Sequence, residues 1–246
     1  MPAEHTTIRI REKELACRPS LHAVFEERLL FVCSSALFAG LSERDCIEMV
    51  ACARIRTFVR DEPLFIQGQP VVTLILLQSG SVKHTQVGKN GSEVILRFSR
   101  RGDVVNTLTE PSSCGHTCSA HAMEKCSALV WDYCRIEHFL ARHPELRDNV
   151  SRILAGQLQE LEERFREMAT EKVATRLALV IRRLLQQIGK PAGNGIQISL
   201  SREELAQMTG STVFTVSRVL SEWCEQGVVR SRREAVVISD PARLEA

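Results

Sequence analysis

The segment from residue 200 to residue 238 contains two short helical patterns, separated by Gly210 and followed by a basic hairpin pattern. Ser201 and Glu204 have the spacing of a capping box, which satisfies two backbone N–H groups at the start of a helix. A second helix is predicted from Thr212. Its buried face is predicted to consist of Val213, Val216, Leu220 and Trp223. Two short helices joined at a glycine and followed by a hairpin are typical of a winged helix-turn-helix domain.

The opposite face of the second helix presents side chains that can read bases, among them Arg218. An arginine can donate two hydrogen bonds to guanine N7 and O6, which is worth about 1–3 kcal/mol of discrimination. We therefore expect this helix to enter the major groove of duplex DNA while the hairpin contacts phosphates. The competing interpretation is an ordinary helical hairpin with a solvated charged face. The candidate DNA-binding residues are Ser201, Arg202, Thr212, Phe214, Thr215, Ser217, Arg218, Ser221, Arg230, Arg232 and Arg233.

Residues 53–132 consist of short apolar runs separated by turn signals such as Ser79-Gly80-Ser81. Short strands punctuated at regular intervals predict a β-barrel or a β-sandwich. Asn90-Gly91 is the strongest hairpin signal in this region, because both residues tolerate a positive φ.

A long helix is predicted from Pro144, with apolar residues that alternate steps of four and three. This is the period of a coiled-coil seam, so we expect two copies of the helix to pair in a homodimer. An amphipathic helix packed on its own domain is the alternative. The predicted seam consists of Leu154, Leu158, Leu161, Phe165 and Met168.

Composition limits the class of protein and its compartment. Hydrophobic residues make up 44% and charged residues 25% of the 246 residues, which excludes collagen-like and disordered chains. The best apolar stretch, residues 29–41, is shorter than the ~20 residues of a membrane span, and we expect no membrane association and no signal peptide. Nine scattered cysteines favour the reducing cytoplasm. Since the net charge is only +2, any nucleic-acid interface must be a local basic patch.

Several motifs, taken in order, resemble the regulators named for the cyclic-AMP receptor protein and the fumarate–nitrate reductase regulator (Crp/Fnr). The resemblance covers nearly the whole chain after the first forty residues. The motifs are residues 41–45, 65–68, 77–83, 102–103, 200–206 and 215–220.

The resemblance implies an α+β fold with an N-terminal double-stranded β-roll of the cyclic-nucleotide-binding kind, a long dimerisation helix and a C-terminal winged helix-turn-helix. It implies a homodimer that binds a two-fold symmetric DNA site, acts with RNA polymerase and responds to an effector held in the roll. The implied parts are an arm and helix (1–40), the sensory roll (41–143), the dimerisation helix (144–170) and the DNA-binding domain (171–246).

The chain departs from the family at one position of the helix that is expected to contact bases. It has Phe214 where the family usually has a glutamate that accepts a hydrogen bond from the amino group of cytosine. Phenylalanine can offer only apolar contact, for example to a thymine methyl group. We expect Phe214 to face the groove and the half-site to differ from the usual one at one base pair. The alternative is that Phe214 turns inward and packs.

The expected effector pocket also differs. Members that bind cyclic AMP carry Gly-Glu and Arg-Ser where this chain has Asn106-Thr107 and His116-Thr117. A cyclic phosphate needs an arginine fork or helix N-terminal amides, so cyclic AMP is not the expected effector. Asn106, Thr107, His116 and Thr117 are the candidate pocket residues.

Cysteine chemistry is another candidate for sensing. Cys114 and Cys118 form the one tight group and are compatible with metal ligation or a redox-switched thiol pair. Cys17 and Cys33 are too widely spaced for the family's iron–sulfur pattern. The residues are compatible with haem, with an iron–sulfur cluster or with no cofactor. In the alternative interpretation the loop cysteines are incidental and the other cysteines are small core residues, namely Cys46, Cys52, Cys126, Cys134 and Cys224.

No nucleophile triad, phosphate-cradling loop or metalloprotease spacing is present, so we do not expect an enzyme. Two other functions remain as alternatives to a DNA-binding regulator with a sensory roll. One is a ligand-binding or scaffold module that acts through protein contacts. The other is a thiol-based redox protein that uses Cys114 and Cys118.

Overall fold

The amino-terminal helices precede a β-roll in the structure, a computed structural model. The described residues are 21–106, 115–232 and 234–244. Helices α1 (Leu21–Ser34) and α2 (Glu43–Cys52) are separated by a 3₁₀ turn at Ala36–Phe38. Ser42 caps α2, as its hydroxyl accepts a hydrogen bond from the Asp45 N–H at 3.2 Å. Within the described residues, no helix is both long and apolar enough to cross a membrane.

The strands of the roll are β1 (Arg54–Phe58), β2 (Pro63–Phe65), β3 (Thr73–Ser79), β4 (Val82–Val87), β5 (Glu93–Ser99), β6 (Ser119–Ala122) and β7 (Cys126–Asp132). They form two antiparallel sheets that face each other across an apolar core, as predicted. The strand orders are β1-β7-β3 and β2-β6-β4-β5. Strands β4 and β5 form the predicted hairpin, but residues 88–92 make a longer loop in which Gly91 has a φ of +80°.

Two consecutive helices, α3 (Tyr133–Arg142) and α4 (Pro144–Thr170), lead out of the roll. Pro144 occupies the first turn of α4, where its missing N–H costs nothing. The Asn149 amide donates hydrogen bonds to the carbonyls of Leu37 and Ala39, at 2.9 and 2.7 Å. The start of the long helix is therefore tied to the connection between α1 and α2.

The carboxy-terminal domain contains the predicted helix pair and hairpin. Ser201 and Glu204 form the capping box of the first helix of the pair, and Gly210 ends that helix in the left-handed conformation at a φ of +57°. A strand at residues 190–192 was not predicted, because Gly189 and Pro191 signal only the end of a helix. The element bounds are α5 (Val173–Gln187), β8 (Lys190–Ala192), β9 (Gly195–Ile198), α6 (Arg202–Thr209), α7 (Val213–Glu225), β10 (Val229–Arg232) and β11 (Ala235–Ile238).

The predicted buried face of α7 is wrong at one position. Val213 is 43% exposed, and Val219 is buried instead. Val213 is the first residue of the helix and lies beyond the apolar core, so its position at the helix end decides its exposure. The buried side chains of α7 are Val216, Val219, Leu220 and Trp223.

The carboxy-terminal domain packs against the roll along β4 and β5. Ile95 and Phe98 of β5 join the apolar core of the winged helix. Lys83 of β4 forms an ion pair with Glu204 at 2.7 Å, so the carboxylate that caps α6 also contacts the roll. This packing sets the position of the helix pair relative to the roll.

Candidate nucleic-acid interface

Helix α7 has a well-formed amino-terminal end. The Thr212 hydroxyl accepts a hydrogen bond from the Thr215 N–H at 3.2 Å, which satisfies one of the free N–H groups of the first turn. The hydroxyl of Thr215 lies 2.9 Å from that of Thr212. Thr212 and Ser201 are thus the N-cap residues of the helix pair, and Thr215 lies in the first turn of α7. The amino-terminal end of a helix favours a negatively charged group such as a phosphate.

The predicted reading face of α7 is exposed. Phe214 is 80% exposed and points outward rather than into the core. Arg218 is exposed and forms an ion pair with Glu222 at 3.1 Å, one helical turn away. The exposed Ser221 donates a hydrogen bond to the Ser217 carbonyl at 2.9 Å, and Ser217 itself is half-buried. Apolar, cationic and hydroxyl groups therefore share one accessible face.

Arg202 connects the three parts of the domain. From the start of α6 it contacts the Ser217 hydroxyl of α7 at 3.5 Å and donates to the Ser231 hydroxyl of β10 at 3.2 Å. The β10–β11 hairpin therefore lies beside the reading face. Arg230 and Arg232 of β10 are exposed, and Arg233 lies outside the described residues.

The candidate pocket residues of the roll are used by the fold. The Asn106 amide is buried; its carbonyl accepts from the Ile75 N–H at 2.9 Å and its NH₂ donates to the Thr73 carbonyl. His116 stacks on Phe65 with ring centroids 3.8 Å apart, and burial lowers its pKa, which disfavours a charged imidazolium. Neither side chain is therefore free to bind a cyclic phosphate in place of the arginine of the members that bind cyclic AMP. Thr117 is exposed, and Thr107 lies outside the described residues.

A polar cluster inside the roll was missed by the sequence reasoning. His84 Nε2 lies 2.9 Å from the Ser99 hydroxyl, and Arg97 donates hydrogen bonds to that hydroxyl and to the Val105 carbonyl at 3.2 and 2.9 Å. Burial lowers the pKa of both His84 and Arg97. Polar residues at alternate positions of apolar strands were the signal that could have found this cluster.

The cysteines divide into buried and accessible thiols. Cys118 is half-buried with its sulfur 3.9 Å from His84 Nδ1, and burial raises its pKa, which disfavours the reactive thiolate. Cys46 and Cys126 are buried core residues, as the alternative interpretation expected, whereas Cys52 and Cys224 are half-buried and Cys134 is exposed. Cys114 lies outside the described residues. Within residues 21–106, 115–232 and 234–244, no three His, Cys, Asp or Glu side chains are grouped to hold a metal.

The buried His84 predicts a pH dependence of stability. Burial, assisted by Arg97, keeps the pKa of His84 well below its usual value of 6.5 in the folded protein. The unfolded chain then binds more protons than the folded chain, so the free energy of unfolding falls as the pH drops below about 6.5. Urea titrations between pH 7 and about 5 should show a shallower decline for His84→Gln than for the wild type. The exposed His138→Gln control should keep the wild-type slope, and equal slopes for all three proteins would contradict the role of His84.

The arrangement defines a class of protein, a transcription regulator that joins a cyclic-nucleotide-binding-like roll to a helix-turn-helix through a long helix. A family model for the cyclic nucleotide-binding domain matches residues 55–143, and one for the Crp-like helix-turn-helix domain matches residues 172–246. The chain belongs to the Crp/Fnr family of transcription regulators.

Relatives support the assignment over most of the chain. The CRP-like cAMP-activated global transcriptional regulator of Mycobacterium tuberculosis is 27% identical over 189 residues, which are 76% of this chain and 84% of that protein. The cyclic AMP receptor protein of Thermus thermophilus is 28% identical over 214 residues, covering 86% of this chain and 95% of that protein. The solved structure of the c-di-GMP responsive global regulator CLP of Xanthomonas campestris has the same fold, with a TM-score of 0.68, 22% identity and coverage of 79% and 98%.

Proposed function

We propose that this protein is a homodimeric regulator that binds a specific, two-fold symmetric DNA site in the cytoplasm and is modulated by a signal sensed in the roll. The observation that carries the proposal is the exposed face of α7, which includes Phe214 and Arg218. The basic hairpin lies beside this face and is joined to the helix pair by the hydrogen bond from Arg202. RNA polymerase is the expected protein partner. Catalysis is not part of the proposed function.

The dimer is supported by the predicted seam. Its apolar side chains lie along one stripe of α4 and are exposed in the single chain, where Phe165 is 74% exposed. Burying such a stripe against an identical helix removes apolar surface from water on both copies. A homodimer would also place two reading helices for the two halves of a symmetric site, about 34 Å apart.

The proposed effector is not cyclic AMP. Asn106 and His116 are committed to contacts within the roll, and neither is an anion-binding arginine. A redox signal at Cys114 and Cys118 is the second candidate; the Cys118 sulfur lies 3.9 Å from His84 Nδ1 in the polar cluster of the roll, where burial raises its pKa and disfavours the thiolate. A small-molecule effector would change the affinity for DNA when the ligand is added, whereas a redox signal would change it when an oxidant is added.

DNA binding by the hairpin is testable through its salt dependence. A duplex is first selected from a random pool, and its affinity is then measured by fluorescence anisotropy at several salt concentrations. Each phosphate contact contributes about 0.9 to the slope of log K against log salt. Replacing Arg230 and Arg232 by alanine should therefore reduce the slope by about 2.

Arg147→Ala is the matched control, since it removes an exposed charge of the same type from α4 and should leave the slope unchanged. Failure to select any duplex, or binding that is independent of salt, would contradict the proposed function and favour a module that acts through protein contacts.

A further inference from the structure

Two adjacent apolar side chains are exposed at the beginning of α7. Val213 is 43% and Phe214 is 80% exposed, although the rest of the apolar residues of this helix lie in the core. The pair directly follows the Thr212 cap, so it lies at the end of the helix that enters the groove first. Both apolar side chains are therefore accessible to a binding partner at this end of the helix.

The surroundings of the pair identify its partner chemistry. Arg218 lies one turn further along α7, and the basic β10 strand lies beside the helix through Arg202. An apolar protein surface would have to desolvate these cations without compensation, whereas phosphates would neutralise them. In the major groove, the apolar group on a base edge is the C5 methyl of thymine.

We propose that Val213 and Phe214 are specificity-determining residues that recognise thymine C5 methyl groups at adjacent base pairs of each half-site. This inference rests on the proposed function, because it requires α7 to lie in the major groove. It adds Val213 to the residues of α7 that contact bases, although helical spacing had predicted that Val213 lies in the core.

Arg218 supplies the polar part of the same reading surface. Its ion pair with Glu222 is solvent-exposed on both sides, and such pairs contribute only about 0–1 kcal/mol. Arg218 can therefore exchange Glu222 for guanine at little cost. The apolar pair and Arg218 then recognise chemically different groups, so their contributions can be separated by changing one group at a time.

The experiment uses the full-length protein and the duplex selected from the random pool. Thymines of the half-site are replaced one at a time by deoxyuridine, which removes the methyl group and keeps the base pairing. Affinity should fall roughly threefold to fivefold for each contacted thymine, as expected from losing one buried methyl group. Thymines outside the contact should tolerate the change.

Four variants show which protein side chain makes each contact. Phe214→Ala should bind thymine and deoxyuridine equally at one position while it keeps the guanine preference of the wild type. Arg218→Ala should show the reverse pattern. Phe214→Glu should shift the preference at that position toward cytosine, because the glutamate carboxylate can accept a hydrogen bond from the cytosine amino group. Val213→Ser should abolish the methyl effect at the neighbouring position.

The outcomes separate this inference from the proposed function. Tight, salt-dependent binding that is insensitive to deoxyuridine at every position would overturn the inference and leave the proposed function intact. A methyl effect that persists in both Phe214→Ala and Val213→Ser would also overturn it. Failure to bind any duplex would overturn both. Because both side chains are exposed, these variants should keep the wild-type circular dichroism and unfolding curve.

Discussion

Replacing Leu158, Leu161 and Phe165 together by aspartate is expected to convert the protein into a monomer. All three side chains are exposed apolar residues of the α4 stripe. In a paired helix they would face their own copies, so six aspartates would replace an apolar interface with like charges in contact. Sedimentation velocity should show half the wild-type mass. Affinity for the selected DNA should fall by about 100-fold or more, because the second half-site no longer gains from effective concentration.

The control adds negative charge to the same helix without touching the stripe. Ala155→Asp together with Gln159→Asp introduces charges at exposed positions of α4 outside the seam. This variant should stay dimeric and bind DNA with nearly wild-type affinity. A dimer that persists in the triple variant would place the interface elsewhere on the molecule.

Removing the Glu167 carboxylate is expected to destabilise the junction between α4 and α5. Glu167 is 6% exposed, and both of its oxygens accept hydrogen bonds from Arg183, each at 2.7 Å. Glu167→Ala leaves the half-buried guanidinium of Arg183 without its partner, which should cost about 1–3 kcal/mol in unfolding free energy. Urea unfolding followed by circular dichroism at one fixed protein concentration measures this loss.

Two further variants separate loss of the ion pair from loss of packing. Glu163→Ala changes an exposed carboxylate of the same helix and should alter stability by less than about 0.5 kcal/mol. The double variant Glu167→Leu with Arg183→Met removes both charges and should recover much of the stability lost in Glu167→Ala. If Glu167→Ala unfolds like Glu163→Ala, the pair does not stabilise the junction.

Local signals predicted much of the fold and of the reading face. The capping box at Ser201 and Glu204, the left-handed Gly210 and the start of α4 at Pro144 are all confirmed. Each depends on residues within one or two turns, so short-range rules suffice. The outward direction of Phe214 was also predicted correctly, because helical spacing places it opposite the buried residues of α7.

The sequence by itself determined the order of the elements and the chemical character of the reading helix, since both follow from local spacing and residue type. Only the tertiary structure decided which residues far apart in the sequence form hydrogen bonds and ion pairs with one another. It binds the Asn106 amide to β3, brings Arg97, Ser99 and His84 together inside the roll, and joins Lys83 to Glu204 across 121 positions of the chain. Such contacts depend on how the sheets and helices pack, which local periodicity does not encode.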